Sequence, residues 1–139
     1  MIIAYTDGTT RKSNPGPMAW AVIYTNNDVV IREETGALYQ GTNNKAEILA
    51  VICALENEAR EDLLIRTDSI LTLNIATGVW RAKTNTDLWE RFNTIMDRRD
   101  SRGLVTQFEH VKAHSTNIFN RRADALAKEA AIEAEKCVI

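Results

Sequence analysis

The sequence is poor in the residues that build disulfide-linked, zinc-bound or membrane-spanning proteins. Two cysteines in 139 residues, Cys53 and Cys137, suit neither a zinc site nor a disulfide framework, so a reducing, cytoplasmic setting is expected. No apolar run approaches the roughly 18 residues that a membrane helix needs, and we therefore expect no membrane partner. A charge at Asp7 comes too early in the chain for a secretory signal peptide.

The chain also lacks internal repeats, low-complexity stretches and segments that resemble linkers. Hydrophobic residues make up 45% and charged residues 26% of the sequence, which are ordinary values for a globular protein. This composition excludes a disordered chain, a collagen-like repeat and a coiled coil. We expect one domain over residues 1–139.

The chain has little excess of positive or negative charge. Seventeen basic and 19 acidic residues give a formal net charge of −2, which taken alone argues against a nucleic-acid partner. The charges are uneven, because residues 26–62 carry a net −5 and residues 78–102 a net +2. Either the domain has two solvated faces of opposite bias, or it has an active-site side and a nucleic-acid side.

Apolar and β-branched runs predict five strands. Their predicted positions are Ile2–Thr6, Met18–Thr25, a strand that begins at Val29, Leu63–Thr67 and Val105–Val111.

Helical periodicity and capping residues predict four helices between and after the strands. They are a helix capped by Asn44 with Glu47 in a capping-box position, Ser69–Thr77, Thr86–Arg99 and a helix capped by Asn120. Three antiparallel strands followed by alternating helices and strands predict an α/β fold with a mixed five-stranded sheet.

Four acidic residues fall at the ends of these elements: Asp7, Glu47, Asp68 and Asp124. If the first and fourth strands are parallel neighbours, Asp7 and Asp68 leave the sheet at the same edge, where open α/β sheets place their sites. Helices that start against that edge bring Glu47 and Asp124 to the same point. Each residue alone also has an ordinary explanation, as a turn residue, a helix cap or a favourable charge at a helix N-terminus.

Four carboxylates at one point would repel one another strongly. At about 4 Å and an effective dielectric constant near 20, each ionised pair costs on the order of 4 kcal/mol. Clusters of this kind hold hard divalent cations, and oxygen ligands without His or Cys favour Mg²⁺ or Mn²⁺ over Zn²⁺. The pattern therefore predicts a divalent-metal site.

Seven short segments follow one another along the chain: Thr6–Gly8, Asn14–Pro17, Thr42–Glu47, Thr67–Ser69, Asn85–Trp89, His110–His114 and Asn120–Ala127. Taken together, they resemble the type 1 ribonuclease H family. One such tripeptide would carry little weight, whereas seven in the right order are highly specific. The resemblance implies a ribonuclease H-like fold and an endonuclease that cuts the RNA strand of an RNA–DNA hybrid.

By this resemblance, Asp7, Glu47, Asp68 and Asp124 match the family's metal-binding carboxylates. Two Mg²⁺ ions are implied, with Mn²⁺ as an alternative ion, and so are products with 5′-phosphate and 3′-hydroxyl ends. His114 matches a loop histidine that suits a proton carrier or a group that eases product departure; a surface histidine without a role is the ordinary alternative. These five residues are expected to be catalytic. The protein is expected to be a monomer.

The resemblance also implies how the hybrid is bound. Residues matching positions that read the minor groove and the RNA 2′-hydroxyl groups are Gly8, Thr9, Thr10, Asn14, Asn43 and Asn44. Thr42 and Asn85 match a pocket for a phosphate of the DNA strand. Trp80 is a further candidate, for contact with a deoxyribose, and Trp89 is expected in the core.

The chain departs from the family in ways that affect binding more than chemistry. Between Asn74 and Asn85 it lacks the basic helix and loop with which many bacterial members grip the hybrid. The Asp7–Asn14 segment, with Arg11 and Lys12, is one residue longer than usual. Other departures are Gln40, Ile70, Ala113 and Arg121. Two bound Mg²⁺ ions would change the formal charge from −2 to about +2, which removes the objection to a nucleic-acid partner. Because the basic helix and loop are missing, we still expect the chain to bind the hybrid weakly.

Three alternatives stay open. One is a hybrid-binding module that has lost catalysis, suggested by the missing basic insert and by Ile70. Another is the ribonuclease H domain of a reverse transcriptase, which a start at Met1 directly before the first strand disfavours. The third is a resolvase or exonuclease with similarly clustered carboxylates.

Overall fold

A computed structural model describes residues 1–112 and 116–136. Its elements are β1 (Ile2–Thr10), β2 (Gly16–Asn26), β3 (Val29–Gly41), α1 (Asn43–Asn57), β4 (Leu63–Thr67), α2 (Ile70–Ala76), α3 (Thr86–Ser101), β5 (Thr106–His110) and α4 (Ile118–Lys136). The predicted α/β class and the mixed five-stranded sheet are confirmed. Within the described ranges, no helix is long and apolar enough to cross a bilayer.

The sheet has the strand order β3-β2-β1-β4-β5. Strand β2 is antiparallel to both β1 and β3, whereas β4 is parallel to both β1 and β5. Strands β1 and β4 are therefore parallel neighbours, as the carboxylate argument requires. Their last parallel pair is Thr6 with Thr67, so the next residue on each strand is an aspartate.

Alternate residues of β1 belong to two separate cores, because successive side chains of a strand point to opposite faces. Ile2 and Ala4 join the larger core, which includes residues of α1 and α3. Tyr5 joins a smaller one with Ala123 and Phe119 of α4. Strand β1 is thus buried on both faces, and the side chains that follow it are held between α1 and α4.

Two predicted helix caps are wrong. Thr42, not Asn44, caps α1: its backbone is extended, and its hydroxyl accepts a hydrogen bond from the Lys45 amide at 3.1 Å. Asn120 lies inside α4, and the Asn117 side chain accepts from the amides of Phe119 and Asn120. Both helices start earlier than predicted, so Glu47 and Asp124 lie beyond the first turn.

The other differences are extensions. Strand β1 continues past Asp7 to Thr10 because it pairs with β2 there, although its pairing with β4 stops at Thr6. Strand β3 runs to Gly41 through a polar stretch that shows no apolar pattern. Helix α2 agrees with the prediction, with Ser69 as its cap.

Arg99 of α3 lies in the basic segment but does not belong to a nucleic-acid surface. Its side chain is buried, and its guanidinium donates to the carbonyls of Glu58 and Glu61 and to the Thr106 hydroxyl. These bonds join α3 to the α1–β4 connection and to β5. The positive charge available to a ligand between residues 78 and 102 is correspondingly smaller than the sequence count.

Candidate active site

Three of the four predicted carboxylates meet at the edge of the sheet where β1 and β4 stop pairing. Asp7, Glu47 and Asp68 each offer a carboxylate oxygen, and these oxygens lie within 4.8 Å of one another. Asp7 is 4% exposed and Glu47 8% exposed, whereas Asp68 is half-buried. The cluster is therefore deep on one side and open to a ligand on the Asp68 side.

Glu47 reaches the cluster because Gly8 has no side chain. A Cβ atom at Gly8 would lie 2.4 Å from the backbone carbon of Ala46 and from the backbone nitrogen of Glu47. Without that atom, α1 passes directly over β1. The Gly8 amide then donates to Asp7 Oδ1 at 3.0 Å and to Glu47 Oε1 at 3.1 Å, which fixes the two carboxylates relative to each other.

The crowding shifts the proton equilibria of both buried acids. The pKa of Asp7 rises from 3.8 to about 7, chiefly through burial and then through the negative charge of Asp68; a hydrogen bond with Glu47 opposes the shift. Burial, followed by the charges of Asp7 and Asp68, raises the pKa of Glu47 well above its usual range, against the opposing Gly8 hydrogen bond. The cluster thus attracts positive charge.

One buried oxygen of the cluster is left for a ligand to satisfy. Glu47 Oε2 is buried and has no hydrogen-bond partner. A buried carboxylate oxygen without a donor is costly, whereas a cation at that oxygen satisfies it. The donor set is carboxylate oxygen alone, which is what Mg²⁺ and Mn²⁺ prefer. The residues present therefore fit a divalent cation.

Asp124 lies at the border of the cluster. Asp124 adds, through hydrogen bonding and its negative charge, to the rise in the pKa of Asp7, so the two side chains interact. Asp124 Oδ2 also lies 3.0 Å from Lys128 Nζ, one turn along α4. Asp124 is thus near the other three without belonging to their 4.8 Å group. His114 and Ala113 lie outside the described residues.

The residues expected at the minor groove form a connected surface beside the carboxylates. The Thr10 hydroxyl donates to Asn43 Oδ1 at 2.9 Å, and Asn14 Oδ1 accepts from the Asn43 amide at 3.1 Å. Asn43 therefore ties β1 and the β1–β2 connection to the start of α1. The Thr9 hydroxyl bonds to the Thr10 carbonyl at 3.3 Å and does not join this network.

A cavity of about 510 Å³ lies between α1, α2 and the segment before α3. Its lining includes Asn44 and Asn85, two of the predicted substrate-binding residues, together with Trp80, Arg81 and Lys83. Trp80 is 48% exposed and Trp89 is buried, as expected for the core. Thr84 and Leu71 also line the cavity, and neither was predicted as a site residue.

A sequence model of the RNase H family matches residues 1–132, nearly the whole chain. The chain belongs to the RNase H family. It is 36% identical to the Ribonuclease H of Dinoroseobacter shibae, an alignment that covers 92% of this chain and 89% of that protein.

Solved structures agree with this assignment to the RNase H family. LC11-RNase H1, crystallised in complex with an RNA/DNA hybrid, is 32% identical and superposes with a TM-score of 0.81 over 96% of this chain and 99% of that one. RNase H1 from Halobacterium salinarum is 33% identical, with a TM-score of 0.77 over 95% and 98% of the two chains. The chain is therefore an enzyme, a nuclease of a family that generally depends on divalent metals.

The proton equilibrium of Asp7 predicts how this RNase H responds to pH without metal. Because the folded-state pKa is about 7 and the ordinary value 3.8, the folded protein holds more protons between these values, and stability falls as pH rises through about 7. At pH 8 in EDTA, Asp7→Asn should raise the free energy of unfolding by on the order of 4 kcal/mol. At pH 4 the gain should nearly vanish.

Urea unfolding at both pH values measures this gain. Asp97→Asn, at an exposed carboxylate of α3, is the matched control and should change little at either pH. Saturating Mg²⁺ should reduce the difference at pH 8, because wild type then binds the ion and is stabilised by it. If the stability of the Asp7→Asn protein depends on pH as that of the wild type does, the conclusion that burial and neighbouring charge raise the pKa of Asp7 is wrong.

Proposed function

We propose that this RNase H hydrolyses the RNA strand of RNA–DNA hybrids at the carboxylate cluster. The observation that carries the proposal is the group formed by the buried Asp7 and Glu47 and the half-buried Asp68, with an unpartnered Glu47 Oε2. The relative LC11-RNase H1, at 32% identity, is described in complex with an RNA/DNA hybrid, which supports the same partner here.

Asp7, Glu47, Asp68 and Asp124 are the proposed ligands of two Mg²⁺ ions, with Mn²⁺ as an alternative. When bound, such ions activate water and stabilise the charge that develops on a phosphate and its leaving oxygen. The chain's own contribution is positioning: the Gly8 amide holds Asp7 and Glu47 in place, and burial excludes water behind them. The proposed products carry 5′-phosphate and 3′-hydroxyl ends, and His114 is the proposed proton carrier.

Strand selection is proposed to rest on two surfaces. The network of Thr10, Asn14 and Asn43 presents amide and hydroxyl groups suited to 2′-hydroxyl groups, which only the RNA strand has. Thr42 Oγ1 accepts from Lys45 and still has its own hydrogen to donate to a phosphate. Asn85, at the cavity, is the proposed second donor to that DNA-strand phosphate.

The remaining substrate-binding residues have narrower proposed roles. The Gly8 amide is already committed to carboxylates, so Gly8 is proposed to act by allowing close approach. Asn44 faces the cavity beside Asn85, and Thr9 is proposed to contact the minor groove. A monomeric enzyme of the cytoplasm remains our expectation.

A panel of end-labelled substrates tests the function. Hybrids labelled on either strand, duplex DNA, duplex RNA and single-stranded RNA are incubated with Mg²⁺, with Mn²⁺ or with EDTA. We expect cleavage of the RNA strand of the hybrid alone, 5′-phosphate product ends and no cleavage in EDTA. Cleavage of duplex DNA would instead favour a resolvase or exonuclease, and binding of the hybrid without cleavage would favour a binding module.

A further inference from the structure

The connection between β1 and β2 carries two exposed cations that the carboxylate chemistry does not use. The Arg11 and Lys12 side chains are 44% and 68% exposed. In the chain they lie between Thr10 and Asn14, which share Asn43 as a hydrogen-bond partner. Two cations thus flank the surface proposed to face the minor groove.

Both cations contact the same carboxylate on α4. Arg11 Nε lies 2.6 Å from Glu135 Oε2, and Lys12 Nζ lies 2.5 Å from Glu135 Oε1. One carboxylate cannot neutralise two cations, so the group keeps a net positive charge. The Arg11 contact is through Nε, and a guanidinium has further N–H groups with which to bind an anion.

The backbone conformation of Lys12 is an independent reason to seek a role for its side chain. Its φ is 68°, in the left-handed region that favours glycine and asparagine. A lysine there is less stable than glycine by about 1 kcal/mol. Such a conformation at an exposed position is a reason to seek a role for the side chain.

The position of the group relative to the carboxylates suits a long ligand. At roughly 3.3 Å per residue, Arg11 lies about 13 Å along the strand direction from Asp7. Helix α4 covers a similar length, about 16 Å at 1.5 Å per residue, between Asp124 and Glu135. The cations therefore lie roughly 13 Å from Asp7 along the strand direction, next in sequence to Thr10, and contact α4 on the face of the sheet opposite α1.

We propose that Arg11 and Lys12 bind a backbone phosphate of the hybrid beside the minor groove, and that Glu135 orients them and competes with that phosphate. The inference rests on the proposed function. It supplies positive charge in a chain that has no basic insert between α2 and α3. Arg11 and Lys12 are positioning residues, since they would hold the hybrid without touching the reacting atoms.

The test compares two variants with opposite expected effects and a matched control. Hybrid binding is measured by fluorescence anisotropy against salt concentration in an Asp68→Asn background, in which cleavage is expected to be at least about 10³-fold slower. Arg11→Gln/Lys12→Gln should weaken binding about threefold to tenfold and reduce the log–log salt slope by about 1 to 2. Glu135→Gln should instead tighten binding and steepen the slope by about 1, because it frees both cations.

Arg60→Gln/Arg102→Gln is the matched control, since it also removes two exposed cations but at the opposite end of the sheet from the carboxylates. It should leave the salt slope nearly unchanged. In the otherwise wild-type enzyme, Arg11→Gln/Lys12→Gln should raise KM with little change in kcat. Lys12→Gly should weaken binding while raising the melting temperature.

If the group only fastens α4 to the β1–β2 connection, Glu135→Gln and Arg11→Gln/Lys12→Gln will lower the melting temperature alike and leave the salt slope unchanged. That result overturns the inference and leaves the proposed function intact. A wild-type protein that neither cleaves nor binds the hybrid overturns both. Opposite shifts in affinity for the two variants support the phosphate contact.

Discussion

Replacing Asp68 with asparagine is expected to lower the rate of hybrid cleavage by at least about 10³-fold, because the substitution removes a charge and keeps the shape. Asp68 is the half-buried member of the cluster, next to the side from which a ligand enters. Loss of its charge weakens the attraction for divalent ions. Single-turnover cleavage at saturating hybrid and Mg²⁺ measures the effect.

The same substitution should make the metal-free protein more stable. Among neighbouring charges, Asp68 contributes most to the raised pKa of Asp7, and it also raises the pKa of Glu47. Removing that charge relieves repulsion between buried carboxylates. A variant that is inactive and yet more stable in EDTA separates lost chemistry from lost folding. Asp97→Asn should change neither property, and cleavage by Asp68→Asn near the wild-type rate would contradict the proposed metal site.

The meeting of Asp7 with Asp68 was predicted on the condition that the first and fourth strands are parallel neighbours, and the sheet meets that condition. Both follow short β-branched runs, and parallel strands place the residues that follow them at a common edge. Helix starts were less predictable, because Thr42, Asn43 and Asn44 can all cap a helix and only the end of β3 at Gly41 decides among them. The prediction that Glu47 joins the carboxylates did not depend on which residue caps the helix.

Features that depend on long-range packing had no sequence signal. The contact of Arg11 and Lys12 with Glu135 joins residues more than 120 positions apart, and exposed charges follow no periodicity that predicts a partner. The burial of Arg99 is similar: its charge counted toward a binding surface, and only its hydrogen-bond partners show that it joins α3 to the α1–β4 connection and to β5. The close approach of α1 to Gly8 could not be predicted either, because it depends on how the helix packs on the sheet.

The close approach of α1 to Gly8 predicts that substitution of Gly8 will strongly affect both stability and cleavage. Gly8→Ala places a Cβ 2.4 Å from two backbone atoms of α1, so the helix must move away from β1. Overpacking of this kind costs about 3 kcal/mol when backbone atoms have to shift. Because the moving turn carries Glu47, we also expect the rate of hybrid cleavage to fall about 100-fold, as for a misplacement near 1 Å. Chemical denaturation and single-turnover kinetics give the two numbers.

Gly103→Ala separates the effect of crowding from the general effect of losing a glycine. Gly103 has a φ of +74° and open space around its would-be Cβ, so alanine there should cost about 1 kcal/mol through backbone strain alone. It lies between α3 and β5, away from the carboxylates, and should leave the cleavage rate unchanged. Gly8 has the opposite combination, ordinary backbone angles and no room. If Gly8→Ala loses stability but keeps its rate, the link between helix approach and the position of Glu47 is wrong, whereas loss of both with added Mg²⁺ failing to restore the rate supports it.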